Sequence, residues 1–185
     1  KRIQSIESPY FIEDLKISKD NMDNTEIQWI ENIENKCTEY GFKFHPRMLR
    51  SFHTSLKTDE MSPLTILSGV SGTGKSELPR LYSWFGGINF LSLAVEPNWD
   101  SPESMLGFFN SIDNRFDAQP ILQLLVQTQK KKTSEYPDGL KETVSLILLD
   151  EMNLAHVELY FSEFLSKLEL RRGIGRGSEP SINVK

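Results

Sequence analysis

Cysteine occurs once in 185 residues, at Cys37, so the chain can form neither an internal disulfide nor a thiolate zinc site. A lone thiol fits a reducing cytoplasm. No apolar run reaches membrane-spanning length and no signal-peptide pattern is present, so a membrane partner is not expected. A basic excess is missing too. Lys and Arg number 21 against 26 Asp and Glu, for a net charge of −5, and no global positive field announces nucleic acid. A nucleic-acid partner would have to meet a local patch or another domain. His45 and His53 have no acidic or cysteine partners at ligand spacing, which makes them surface or packing residues rather than metal ligands. Internal repeats and low-complexity tracts are absent. The length suits one domain with a sizeable core. The chain begins at Lys1 rather than Met, and we read it as an excised piece of something longer.

Against these absences stands one dense motif, Gly69-Val70-Ser71-Gly72-Thr73-Gly74-Lys75-Ser76, closing the apolar run Leu64-Thr65-Ile66-Leu67-Ser68. It fits the phosphate-loop pattern G-x-x-x-x-G-K-[ST], and it stands in the required context of strand, glycine-rich turn and helix. The glycines let the backbone curl until successive N–H groups point into one concavity, and the following helix aims its positive end there. Lys75 then bridges the outer phosphates, and the Ser76 hydroxyl holds Mg2+. Glu77 and Leu78, opening the helix, complete the nucleotide-binding set. Pro79 falls in the early turns of that helix, so a kink or a loosened first turn is expected.

Elsewhere the patterns are coarser. Residues 1–23 read as an irregular lead-in. A helix from Asn24 or Thr25 carries Ile27, Ile30, Ile33, Cys37 and Tyr40 at steps of three and four, and Gly41 ends it. Pro46 opens a second helix with Met48, Leu49, Phe52 and Leu56 on its apolar face. After the phosphate-loop unit comes a strand, Phe90–Val95, whose apolar character suits a parallel strand covered on both faces. Asp100 or Ser101 caps a helix with Met105, Leu106, Phe108 and Phe109. Pro120 opens another helix, ended by Lys130-Lys131-Lys132, a run better read as a solvated helix end than as a nucleic-acid patch. Residues 133–142 form a polar loop. A third strand, Val144–Leu149, leads into Asp150-Glu151. One long helix then carries Val157, Tyr160, Phe161, Phe164, Leu165 and Leu168, ends at Arg171-Arg172-Gly173, and precedes a tail resembling part of a hairpin.

The apolar strand ending in two acids is the natural partner of the phosphate loop. Ligands of parallel sheets bind at the C-terminal strand ends, which brings Asp150 out beside Ser76. Asp150 would hold Mg2+ directly or through water, and Glu151 would orient and activate a water for in-line attack on the γ-phosphate.

Gly69–Ser76, Leu148-Leu149-Asp150-Glu151-Met152-Asn153, and Val95-Glu96-Pro97-Asn98-Trp99 with Leu106-Gly107-Phe108-Phe109-Asn110 resemble the McrB-like branch of the AAA+ proteins. Those are the NTP-driven subunits of modification-dependent restriction systems. The phosphate loop alone is shared widely; the Pro-x-Trp element and the Asp-Glu-Met-Asn-Leu-Ala run are more specific. The resemblance covers roughly residues 40–185. It implies an α/β fold of the three-layer phosphate-loop NTPase type, with a parallel sheet between helices, residues 1–40 being a lead-in and 41–185 the N-terminal part of the nucleotide-binding domain. It further implies Mg2+-dependent hydrolysis of ATP or GTP and a homo-oligomeric, usually hexameric, ring. It also implies DNA translocation or restriction with a nuclease subunit. The base would sit around Phe44 to Met48, near Leu78. His156 stands where relatives often carry a basic residue, with packing or surface exposure as its default. A sensor strand, an arginine finger and a helical lid are not found in the chain, which alone should leave the sheet incomplete and hydrolyse poorly; Arg171 and Arg172 suit a helix end rather than a trans-acting role. A protein-remodelling ATPase without a DNA role, and a nucleotide-dependent assembly module with little turnover, share the same site residues.

Overall fold

The computed structural model describes residues 5–10, 25–58 and 64–173. It is a mixed α/β structure. These residues fall into two compact units, one of 25–90 and one of 5–10 with 91–173.

The first unit is helical. Helix α1 spans Glu26–Glu39, α2 spans Pro46–Lys57, and α3 spans Glu77–Gly86. At the start of α1 the Thr25 carbonyl accepts the Trp29 N–H at 3.0 Å, and the Thr25 N–H donates to Gln28 Oε1 at 3.3 Å. Gly41, at φ +97°, turns the chain out of the helix, as the sequence implied. Ile30, Ile33 and Cys37 are buried, but the two ends of the expected stripe, Ile27 and Tyr40, are exposed. Burial pushes the Cys37 thiol up to about 11, so it is a small hydrophobe rather than a nucleophile. In α2 the buried stripe is Leu49, Phe52 and His53; Met48 is exposed and a histidine sits in the core.

That histidine ties all three helices together. His53 Nε2 lies 2.7 Å from Glu26 Oε1 on α1, and Nδ1 lies 2.7 Å from the Tyr82 hydroxyl on α3. With the carboxylate as acceptor, Nε2 carries the proton and Nδ1 accepts from the phenol. Burial holds the Tyr82 phenol above its ordinary value, which keeps it a donor. The Trp29 ring meets Tyr82 edge-on, with centroids 5.4 Å apart. A Cβ on Gly86 would come 2.5 Å from Trp29, so α1 and α3 approach as closely as a glycine permits.

The second unit carries the sheets. Strands β1 (Asn89–Ala94) and β4 (Ser145–Asp150) form a two-stranded parallel pair, with the Val95 N–H donating to the Asp150 carbonyl at 2.9 Å. Between them run α4 (Pro102–Leu106), β2 (Gly107–Asn110), β3 (Arg115–Ala118) and α5 (Pro120–Gln129); after them come α6 (Val157–Tyr160) and α7 (Ser162–Gly173). The double covering expected of β1 is met only in part, since Leu91 is buried but Ser92 and Ala94 are exposed.

Five expectations need correction. Leu64–Ser68 is not a strand: it has no regular structure, Ile66 is 78% exposed, and neither sheet among the described residues includes it. Phe108 and Phe109 lie on β2 rather than on a helix, because Gly107 at φ +110° stops α4 and starts an antiparallel hairpin in which Gly107 pairs with Ala118. A Cβ there would lie 2.1 Å from the Asp117 carbonyl, so only glycine fits. The long helix after Asp150 is broken at Phe161 into α6 and α7. Pro79 produces no break: α3 starts at Glu77, so the proline occupies the first turn, where its missing N–H has no intrahelical acceptor to lose. Lys130 is not simply solvated, since its Nζ pairs with Glu7 at 3.2 Å and lies 4.6 Å from the Tyr136 ring centroid. The expected terminal hairpin falls outside the described residues.

Glu26 accepts from Lys57 Nζ at 2.7 Å as well as from His53, and these hydrogen bonds, Lys57's first, hold its carboxyl below the ordinary value. A depressed carboxylate stabilises the fold above its unfolded value and loses that contribution as the pH falls through the folded one. Urea unfolding across the acid range should therefore show Glu26→Gln less stable than the parent at neutral pH, with the gap closing at low pH. A gap independent of pH would contradict the network.

Candidate functional site

The phosphate loop curls as its sequence demands. Gly69, Gly72 and Gly74 have φ of +153°, +79° and +82°, and the turns run directly into α3. Gly74 is the tightest position, because a Cβ there would lie 3.2 Å from Phe44 Cε1 in a backbone region that other residues rarely adopt. Lys75 Nζ reaches back across the loop to the Val70 carbonyl at 2.8 Å, and Thr73 Oγ1 donates to the same oxygen at 2.8 Å. The ammonium is thereby held over the loop. Ser76 precedes the helix in αR conformation, and its hydroxyl makes no capping bond. The first amides of α3 have no acceptor within the helix, which puts donors and the positive dipole end at the loop. Leu78 is buried, and its N–H closes on the Gly74 carbonyl at 2.9 Å. The Glu77 carboxylate is engaged by Arg80, with Nε at 2.9 Å and Nη2 at 2.5 Å.

Asp150 and Glu151 belong to the other unit, at the C-terminal end of β4. Asp150 is half-buried, and its Oδ1 accepts the Glu151 N–H at 3.0 Å, leaving Oδ2 for a further partner. Glu151 is exposed and adopts φ +55°, ψ +40°, one of two non-glycine residues with positive φ among those described. A left-handed glutamate is a strained choice. It turns the chain sharply off the strand into a short 3-10 turn, Met152–Leu154, with the Leu154 N–H on the Glu151 carbonyl at 2.9 Å. The left-handed geometry gives Glu151 a different exit from Asp150 than a continuing strand would.

The Ser76 hydroxyl in the first unit and the Asp150 carboxylate in the second are each hard oxygen donors. No group of three or more His, Cys, Asp or Glu gathers around a common point among the described residues.

Three residues have partners that the sequence did not show. His53, on α2, braces α3 through Tyr82; its place one turn after Leu49 was the available signal. His45 caps α2, accepting the Arg47 N–H on Nδ1 at 3.2 Å. Tyr160 is fully buried, and its hydroxyl donates to the Met152 carbonyl at 3.2 Å, beside the carboxylates. His156 is exposed and immediately precedes α6, and Arg171 and Arg172 fall in the last turn of α7, the position expected of dipole-stabilising cations. No helix among the described residues is long and apolar enough to cross a membrane. The chain matches no protein-family model, no curated protein and no solved structure.

The strain at Glu151 has a measurable consequence. Glu151→Gly should stabilise the protein by about 1 kcal/mol through relief of the left-handed conformation. Denaturant midpoints at constant slope measure this; a loss of stability would contradict the turn described.

Proposed function

We propose that this chain is the nucleotide-binding part of an NTP-hydrolysing AAA+ motor resembling the McrB-like branch. The observation that carries the reading is the curled Gly69–Ser76 loop, with Lys75 held across it and a helix N-terminus behind it. Loop amides and the helix dipole would receive the β- and γ-phosphates, and the Lys75 ammonium would leave the Val70 carbonyl for phosphate oxygens. Ser76 and Asp150 would hold Mg2+, which supplies charge neutralisation to the phosphates when bound. Glu151 would accept a hydrogen bond from the attacking water and take its proton as the water's oxygen bonds to γ-phosphorus and the bond to the leaving diphosphate breaks.

Phosphate contacts read no base, so ATP and GTP are both admitted. A base seat in the Phe44–Met48 segment follows from the resemblance alone; the Phe44 ring is itself buried, against Gly74 and Phe42. Assembly as a hexameric ring, work on DNA and delivery to a nuclease subunit follow from the resemblance alone. A protein substrate in place of DNA, or nucleotide-dependent assembly with little turnover, would use the same residues.

The test is hydrolysis of ATP and GTP by the full protein, with and without DNA. Glu151→Gln should keep nucleotide affinity while slowing turnover by at least ~100-fold. Lys75→Ala should weaken binding itself, a loss of charge-assisted phosphate contacts worth at least ~10-fold in Kd. Unchanged turnover in the first or unchanged affinity in the second would defeat the corresponding assignment, and stimulation by DNA would separate a DNA motor from a protein remodeller.

A further inference from the structure

The turn that carries the two carboxylates is tied down at four points. The Val95 N–H holds the Asp150 carbonyl at 2.9 Å, Asp150 Oδ1 holds the Glu151 N–H at 3.0 Å, and the Glu151 carbonyl holds the Leu154 N–H at 2.9 Å. The fourth tie comes from a side chain eight residues on, the Tyr160 hydroxyl donating to the Met152 carbonyl at 3.2 Å. The first three would serve many turns equally well. The fourth sets this one, because a backbone conformation that glutamate disfavours persists only where its surroundings over-determine it.

Tyr160 is itself rigidly seated. It has no exposed surface and is the largest of the fully buried side chains. Its ring meets Trp99 edge-to-face, with centroids 5.4 Å apart and planes at 79°, and Phe161 flanks it at 6.3 Å. Trp99 is in turn fixed by its own N–H on the Glu96 carbonyl at 3.0 Å. Burial and the neighbouring Glu158 carboxylate keep the phenol protonated, hence a donor. A continuous set of contacts thus runs from the Pro97-Asn98-Trp99 segment through one aromatic ring to the turn after Glu151.

We propose that Tyr160, seated by Trp99, is a positioning residue that holds Glu151 in its left-handed conformation and so aims its carboxylate at the attacking water. This rests on the reading of Glu151 as the water-activating base. Trp99 and Tyr160 touch neither nucleotide nor water in this scheme; they act through the backbone of Met152. Small misplacements of a reacting group are costly, so loss of the tie should appear in turnover rather than in binding.

Two measurements on the full protein decide it. In Tyr160→Phe, which removes only the hydroxyl, amide exchange of the 150–154 segment should accelerate at least ~10-fold while that of α3 stays as it was. The kcat for whichever of ATP and GTP is hydrolysed should fall by about 10-fold with KM within about twofold. Trp99→Ala should do the same, and Trp99→Phe, which retains an aromatic edge contact, should restore most of both effects. Unchanged exchange in Tyr160→Phe overturns the tie, and accelerated exchange with unchanged kcat overturns its role in aiming Glu151. A matched rise in KM, or a failure of Trp99→Phe to rescue, would mark the pair as ordinary core and also overturn the proposal. If the parent protein hydrolyses neither nucleotide, the base assignment fails and the aiming role falls with it, while the exchange data still decide whether Tyr160 clamps the turn.

Discussion

Backbone curvature at the head of α3 is the constraint on which the functional account depends. A chain that turns through left-handed residues at Gly72 and Gly74 and then enters a helix presents donors, and no side-chain bulk, to whatever lies in the concavity. The Lys75 ammonium, resting on the Val70 carbonyl, adds a mobile positive charge to that fixed arrangement. The rest of the 25–90 unit stabilises the helix behind the loop. Trp29 packs on Gly86 where no side chain would fit, His53 joins α1 and α3 through two short hydrogen bonds, and Phe44 closes on Gly74. The lead-in helix is thus part of the scaffold of the phosphate loop, not an appendage to it.

The second unit uses strain where the first uses glycine. Glu151 adopts a left-handed conformation in a position where glycine would be cheaper by about 1 kcal/mol. In the proposed reading of Glu151 as the base, a carboxylate held there by a network is pre-aimed at its water. The aromatic contact from Trp99 to Tyr160 gives the specific Pro-x-Trp element a physical task within its own unit, which motif comparison alone does not supply.

Local signals carried the parts of this structure that local physics decides. Thr25 before α1, Pro46 and Pro120 at the starts of α2 and α5, and Gly41 after α1 are end signals whose chemistry lies within one turn, and all fall where expected. The apolar strands β1 and β4 were legible within a residue at each end. What failed depended on partners distant in sequence. Leu64–Ser68 has strand character but finds no ladder among the described residues, so propensity alone does not make it one. The hairpin of β2 and β3 was hidden because Phe108 and Phe109 continue a helical period that Gly107 terminates. Packing was one of the two readings open for His53, but its two partners, 27 and 29 residues away, were not legible. The curl of Gly69–Ser76 was legible because left-handed turns call for glycine, and Gly69, Gly72 and Gly74 supply it.

The central claim is that a triphosphate lies in the curl of Gly69–Ser76 and meets the carboxylates of Asp150 and Glu151 there. A crystal structure of the full protein with Mg2+ and a non-hydrolysable nucleotide tests it most directly. The account predicts that Lys75 Nζ leaves the Val70 carbonyl for the β- and γ-phosphate oxygens, with the metal between Ser76 and Asp150 and a water between Glu151 and the γ-phosphorus. Nucleotide bound elsewhere, or Lys75 still resting on Val70 with Asp150 remote from the phosphates, would contradict it.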